Sequence, residues 1–295
     1  MTSILRRKLD AGNFVVTAEV CPPKGCNCGE FREKSHALGK IVDAVNVTDN
    51  QGANVRISPL APAALLLRDG IEPIMQLTCR DRNRLALQSE LMAAAALGVT
   101  NVLALTGDHI SFGDHPGGKP VFDLESVQLL QTIAALNSGS DLSGARLHGS
   151  TSFYAGAAAA PAAEPFEITL PKLAKKVAAG ARFFQTQAIF SPDCLARFAE
   201  AVHPLGAKVI VGILLLKSAG MARYVTNRVP GLKVPVDLIN ELEDADNPLD
   251  AGVAIARRLV AATRPYCDGV HIMAMGKEEL IPDILAGLAR DDYHD

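Results

Sequence analysis

Apolar runs bounded by glycine, proline and polar clusters recur along this chain about every thirty residues, the length of a strand–helix unit. Eight of them read as strands: Phe14–Cys21, Ala44–Thr48, Pro73–Cys79, Asn101–Thr106, Gly149–Ala157, Phe183–Ile189, Lys208–Leu216 and Gly269–Met275. Short, nearly continuous apolar runs are the mark of strands buried on both faces. Between them the apolar spacing changes to that of amphipathic helices, over Arg82–Leu97, Leu124–Leu136, Leu170–Ala179, Pro192–Val202, Asp250–Thr263 and Glu278–Leu288. Gly98 and Gly180 mark helix ends, and Ser191 before Pro192 marks a helix start. Strands and helices alternating in this number predict an α/β fold, a (β/α)8 TIM barrel forming a single domain over 1–295. A doubly wound sheet is the rival, but no strand is followed by G-x-G-x-x-G or a P-loop lysine.

Polar residues gather where these runs stop. Glu19 closes FVVTAEVCPP, Thr48 and Asp49 close AVNVTD, and Gln76 with Thr78 closes PIMQLTC. Thr106, Gly107 and Asp108 close VTNVLALTGDH, Gln185 and Gln187 close FFQTQAIF, and Lys217 follows VIVGILLL. In a barrel the C-terminal strand ends meet at one face, so the pattern predicts one shared site and an enzyme. Glu19 alternates to the same face as Thr17, and a carboxylate on an apolar strand is costly unless paired or functional. Burial there suits it to general-acid work, while a rim salt bridge is the plainer reading. Asp108 is either such a group or the cap of an ordinary T-G-D turn. Gln185 and Gln187 share a strand face, and their amides suit a flat heterocycle that needs both donors and acceptors. The long loop Ile110–Pro120 follows the Asp108 strand, where a cap over an active site is expected.

With 48% hydrophobic and 21% charged residues and a net charge of −3, the composition is that of a globular protein. It carries no electrostatic footprint for nucleic acid or a membrane. No apolar run is long enough for a membrane span, and MTSILRRKLDAG lacks the apolar core of a secretory signal. A cytoplasmic protein is expected. Cys21, Cys26 and Cys28 crowd into CPPKGCNC without paired C-x-x-C spacing or a nearby fourth ligand, so they are read as loop thiols and no metal is expected. His109 and His115 flank a glycine-rich loop and are read as solvated; Lys175, Lys176, Arg80, Arg82 and Arg84 could hold phosphates, although most such basic residues are solvated helix faces.

The strings TAEVCPPKG, VNVTDNQ, LTCRDRN, LALTGDH, KKVAAGARFFQTQ, GILLLKSAGMARYV and GVHIMAMG, in this order and spacing, resemble the methylenetetrahydrofolate reductase family. The resemblance runs from Phe14 to the C-terminus and implies a (β/α)8 barrel with a non-covalent flavin, FAD or alternatively FMN, and NAD(P)H as co-substrate. By resemblance Glu19 is the catalytic acid and Asp108 lies between flavin and pterin. Gln187, with Gln185 beside it, contacts the folate, and Lys277 falls near its tail. Thr48, Asp49, Gln76, Thr106, Gly107, Asp108, Ala163 and Lys176 fall at the flavin.

The same comparison shows departures. Asp49 and Gln76 stand where bacterial relatives carry a tyrosine and a histidine. Gly156 and Ala160 replace ring residues, Thr106 replaces an arginine, and K-S-A-G-M replaces an S-N-F version. The K-S-A-G-M-A-R string resembles a bacterial subgroup consisting of the catalytic domain, found alone, fused to methyltransferases or beside partner subunits. It implies a homo-oligomer or an electron-donor or methyltransferase partner, with no inhibition by adenosylmethionine. The expected reaction is reduction of 5,10-methylenetetrahydrofolate to 5-methyltetrahydrofolate, in one-carbon and methionine metabolism. Two alternatives stand beside it: a flavoprotein subunit fed electrons by a partner protein, and a flavin-free pterin-binding methyltransferase barrel.

Overall fold

Because each strand here is covered on both faces, alternate side chains must satisfy two interiors, the bore and the layer under the helices. The computed structural model describes residues 3–229 and 231–288 and bears this out. The strands are β1 (Val15–Val20), β2 (Ala44–Val47), β3 (Pro73–Thr78), β4 (Asn101–Leu105), β5 (Tyr154–Ala159), β6 (Phe183–Ala188), β7 (Lys208–Leu214) and β8 (Gly269–Met273). All pair in parallel in sequence order, and β8 pairs with β1 to close the barrel. Closure rules out the doubly wound sheet.

Outward residues such as Val16, Ala18, Val45, Val47, Met75 and Leu77 form one continuous core with the helices. Helix α1 (Ile4–Asp10) precedes the first strand and plugs the N-terminal mouth. Its Leu5 and Leu9, fully buried, join Val15, Ala44, Ile74, Leu103, Tyr154, Phe183 and Ile210 in a separate cluster inside the bore. Helices α2 (Gly29–Leu38), α3 (Leu60–Arg68), α4 (Arg84–Ala96), α5 (Ser126–Asn137), α6 (Phe166–Ala178) and α7 (Pro192–Val202) follow β1 to β6 in turn. Three helices, α8 (Ala219–Arg228), α9 (Val236–Asp244) and α10 (Pro248–Thr263), separate β7 from β8, and α11 (Ile281–Ile284) follows β8. Among the described residues no helix is long and apolar enough to cross a membrane.

Two element boundaries depart from the sequence reading. The strand expected from Gly149 begins at Tyr154, because Asn137 at the end of α5 takes over the backbone before it. Its Oδ1 accepts from Phe153 N at 2.8 Å and Thr151 Oγ1 at 2.6 Å, and its Nδ2 donates to Phe153 O at 3.0 Å. The single helix expected over Glu278–Leu288 is a 3-10 turn, Glu278–Leu280, followed by the four-residue α11. Pro282 lacks the N–H that a continuous helix would need, and Gly287 is left-handed at φ +84°.

Candidate active site

Polarity along the bore rises with height. On β1 the inward residues run Val15, Thr17, Glu19; on β2, Ala44, Asn46 and then Thr48; on β3, Ile74, Gln76, Thr78; on β6, Phe183 and Gln185, with a register shift before Ala188. The lowest of each set belongs to the apolar plug and the highest on β1 to β3 opens toward the C-terminal mouth.

The middle layer is tied together. Asn46 Nδ2 donates to Gln185 Oε1 at 2.8 Å, joining β2 to β6. Thr17 Oγ1 lies 2.9 Å from Nδ1 of His271, a β8 residue with no exposed surface. Above it, Glu19 has a side chain only 11% exposed. Its Oε2 is 3.7 Å from His271 Nε2, and its Oε1 accepts from Gln51 Nε2 at 3.3 Å.

Four buried atoms around this layer have no protein partner: Asn46 Oδ1, Thr48 Oγ1, Gln187 Oε1 and His271 Nε2. Leaving a buried polar group unpaired costs on the order of 1–3 kcal/mol each, a cost that a polar ligand would remove. The four belong to β2 and the residue that follows it, to β6 and to β8.

Beside this centre are two adjoining clefts. One, of about 300 Å³, is lined by Gln51, Gln76, Thr78, Thr106, Gly107 and Asp108 among others. The second, of about 420 Å³, is lined by Gln187, Ala160, Ile168 and Phe198 among others. Both share Ala158, Lys172 and Lys176. Lys176 is 8% exposed and donates to Ala158 O at 2.7 Å. Burial, helped by the neighbouring Lys172 charge and opposed by Glu125, pulls its ammonium down to about 8. A buried cation without a carboxylate bonded to it is suited to an anionic ligand. Gly107, at φ +92°, brings the β4 loop close to β3: a Cβ there would stand 3.1 Å from Thr78 Cβ and 3.2 Å from Arg80 Cβ.

The loops around the clefts are fixed by ion pairs. Asp49 has no exposed side-chain surface; it binds Arg82 at 2.7 and 3.2 Å and accepts from Thr78 N and Oγ1. Its carboxylate is fully engaged and braces the rim. Arg80, 2% exposed, joins Asp81 to the carbonyls of Asn50 and Asp108. Asp114 links three loops by accepting from Lys24 Nζ at 2.6 Å and Val55 N at 3.0 Å. The Lys24 bond first, then those from His115 and Val55, hold its carboxyl well below the usual range.

Set against the sequence reading, Glu19, Gln76, Thr106, Gly107, Asp108, Lys176 and Gln187 converge on one mouth with Thr48. Asp108 is exposed there. Gln185 is engaged by Asn46 in the middle layer, and a register shift on β6 separates it from Gln187. Gly156 also sits low, with the Phe183 ring 2.3 Å from where its Cβ would stand. Ala163, in the β5–α6 loop, and Lys277, paired with Glu279 at 3.5 Å, line neither cleft. His109 stacks on Phe122 and His115 pairs with Asp114. Among the described residues no group of three or more His, Cys, Asp or Glu side chains is placed to hold a metal. His271 and Asn46 were missed, although strand parity from Gly269 and Ala44 puts both in the bore.

The family model described as methylenetetrahydrofolate reductase matches residues 4–289. The chain belongs to this family. Relatives include a probable methylenetetrahydrofolate reductase (NADPH) of Caenorhabditis elegans, 24% identical over 307 residues, covering 96% of this chain and 43% of the relative. Methylenetetrahydrofolate reductase 2 of Schizosaccharomyces pombe is 27% identical over 259 residues, covering 81% and 38%. The chain thus spans less than half the length of these relatives. Among solved structures, 2,3-dimethylmalate lyase superposes with a TM-score of 0.54 at 12% identity, covering 97% of this chain and 89% of that one. Oxaloacetate acetylhydrolase does so with 0.54 at 11%, covering 95% and 81%. At such identities the likeness is to the barrel fold alone.

Proposed function

We propose that this member of the methylenetetrahydrofolate reductase family reduces 5,10-methylenetetrahydrofolate to 5-methyltetrahydrofolate, using a bound flavin and NAD(P)H. The observation that carries the reading is Glu19, a carboxyl group held at the top of the bore among strands that carry buried, unpaired polar atoms. Opening the folate's five-membered ring needs a proton on N10, and Glu19 is the acid placed to give it. The carboxylate of Asp108, at the same mouth, stabilises the positive charge that ring opening leaves on the substrate's methylene-iminium. Gln187 offers its free amide oxygen to a pterin N–H, and its NH2 serves a pterin acceptor.

The chain has features that fit a flavin. Lys176 is a buried cation for its phosphate, Thr48 has an unused hydroxyl, and Gln76 and Thr106–Asp108 line the adjoining cleft. When bound, a flavin accepts a hydride from NAD(P)H and donates one to the substrate carbon. Asp49 is a brace for the site rather than a ligand, since Arg82 and Thr78 occupy its oxygens.

The test is the absorbance spectrum of the purified protein with identification of the released flavin, which also separates FAD from FMN. A yellow protein bleached by NAD(P)H alone supports the proposal. A colourless protein favours the flavin-free methyltransferase. Bleaching that requires an added protein favours the partner-fed subunit.

A further inference from the structure

The proposed chemistry leaves the opposite end of the barrel unused, and a cavity of about 650 Å³ lies there, larger than either cleft at the mouth. It is lined from the starts of β5, β6 and β7 and from helices α1 and α5. Its wall carries three cations, Arg6 of α1, Arg182 just before β6 and Lys208 at the start of β7, against one carboxylate, Asp10. In a chain of net charge −3 this is a local excess of positive charge, on the face that a barrel ordinarily gives over to stability.

The cations are not equally committed. Arg6 Nε lies 3.3 Å from Asp10 Oδ2, one turn along α1, and Lys208 Nζ lies 3.0 Å from Asp268 Oδ1. Asp268 is shared further with His203 and with Val209 N. Arg182 donates its backbone N–H to Ala155 O at 2.8 Å, and its guanidinium has no partner among the described residues. The same wall holds Tyr154, the first residue of β5, which is 4% exposed and stacks on Phe183 at 5.5 Å. Arg6 lies over its ring, the guanidinium carbon 5.9 Å from the centroid. The Tyr154 hydroxyl makes no hydrogen bond among the described residues. Burial, with the charges of Asp10 and Asp268, outweighs Arg6 and Arg182 and holds this phenol well above its usual range. It stays an O–H donor, within the field of both guanidinium groups.

A buried hydroxyl free to donate, beside guanidinium N–H groups without an acceptor, fits an acceptor-only, negatively charged ligand. A cation would be repelled by the three cations, and an apolar molecule would leave the same donors dry. Three cations and a hydroxyl also offer more than a monoanion can use, which favours a dianion. The remaining wall is apolar, formed by Leu130, Ile133 and Ala134 of α5 with Phe153, and the volume is that of a small-molecule site rather than of a bare ion. We propose that the N-terminal face of the barrel holds a second binding site, for a small organic molecule carrying a phosphate group. Arg182 and Tyr154 donate to the phosphate, Arg6 and Lys208 add charge, and the organic body lies along α5. Such a ligand ties the plug helix α1 to β5 and β6, so its binding stabilises the closed base. The site is independent of the chemistry proposed at the mouth.

Calorimetric titration of the purified protein with phenyl phosphate at fixed ionic strength tests this. One saturable site per chain is expected. Inorganic phosphate, which lacks the body, and benzoate, which lacks the second charge, each bind about tenfold more weakly. Arg182→Ala weakens phenyl phosphate about tenfold, and Tyr154→Phe, which keeps the ring, about threefold. Arg182 is exposed, so without ligand its variant keeps the parent's urea midpoint and turnover. Lys176 at the mouth is the other cation open to a phosphate, and Lys176→Met separates the two places: the heat of binding persists in it. The inference is overturned by the absence of saturable heat, by heat that is lost in Lys176→Met and kept in Arg182→Ala, or by inorganic phosphate or benzoate binding as tightly as phenyl phosphate.

Discussion

At its N-terminal mouth the bore is closed by Leu5 and Leu9 of α1 packed on Val15, Ala44, Ile74, Leu103 and Phe183. Higher up, the same strands lead to Glu19, Thr48, Gln76 and Gln187, with buried atoms of Thr48 and Gln187 left unpaired. The base spends its inward positions on burial, which is the dominant favourable term in folding. The mouth gives up that stabilisation and retains unpaired groups, which a protein keeps where a ligand uses them. Each strand therefore has a stabilising half and a chemical half, and substitutions at the two ends should fail in different ways.

The base should show the largest loss of stability. Leu9→Ala removes a fully buried side chain from the plug and should cost about 2–5 kcal/mol by denaturant unfolding. Turnover per folded molecule should stay the same. A loss below about 1 kcal/mol would mean that α1 is a loosely held cap. At the mouth, Glu19→Gln should do the opposite. Folate reduction falls by about 10²-fold or more, because an amide cannot supply the proton. Flavin reduction by NAD(P)H survives and stability does not fall, as single-turnover kinetics and thermal unfolding would show. Equal loss in both half-reactions would remove Glu19 from the role of acid.

Gln187→Glu is the next smaller effect. It leaves an acceptor-only side chain where the amide offered both donor and acceptor, at about 1–3 kcal/mol. Folate affinity should weaken roughly tenfold to a hundredfold while flavin stays bound. A folate titration matching the parent would make Gln187 structural, as Gln185 is through Asn46.

The base and the mouth also differ in how far they could be read from sequence. Strand number, order and most strand ends follow from apolar runs, because a strand buried on both faces carries its signal in every residue. Helices α1, α2, α3, α8 and α9 do not stand out in the sequence, since Pro62 interrupts the pattern of α3 and charged or polar residues dilute the others. At the mouth, residue type and strand position bring out Glu19, Gln187 and Asp108, but not what occupies a side chain. Asp49 stands out as a polar strand end, but its bonds to Arg82 and Thr78 are not legible in the sequence. His271, on β8, reads as nothing until Thr17 and Glu19 of β1 are found beside it, seven strands away along the chain and adjacent only through barrel closure.

Lys176 gives the smallest effect and the finest test of the contrast, because its cost to the fold depends on pH. Burial lowers its ammonium from 10.5 to about 8, so between those values the unfolded chain binds the proton and the folded one releases it. Stability is therefore penalised in full below about pH 8 and recovers as pH rises toward 10.5. An anionic ligand reverses the preference, since it needs the charge that the empty fold resists. Compared with Lys176→Met, the ligand-free parent should gain stability from pH 7 to 10, read as the difference between their urea midpoints. Over the same range its affinity for flavin should weaken severalfold, while that of the variant, already weak, stays flat. A parent–variant difference that is constant with pH in both measurements would show that Lys176 is satisfied by the Ala158 carbonyl alone. The cation would then belong to the scaffold, with Asp49, rather than to the groups held ready for a ligand.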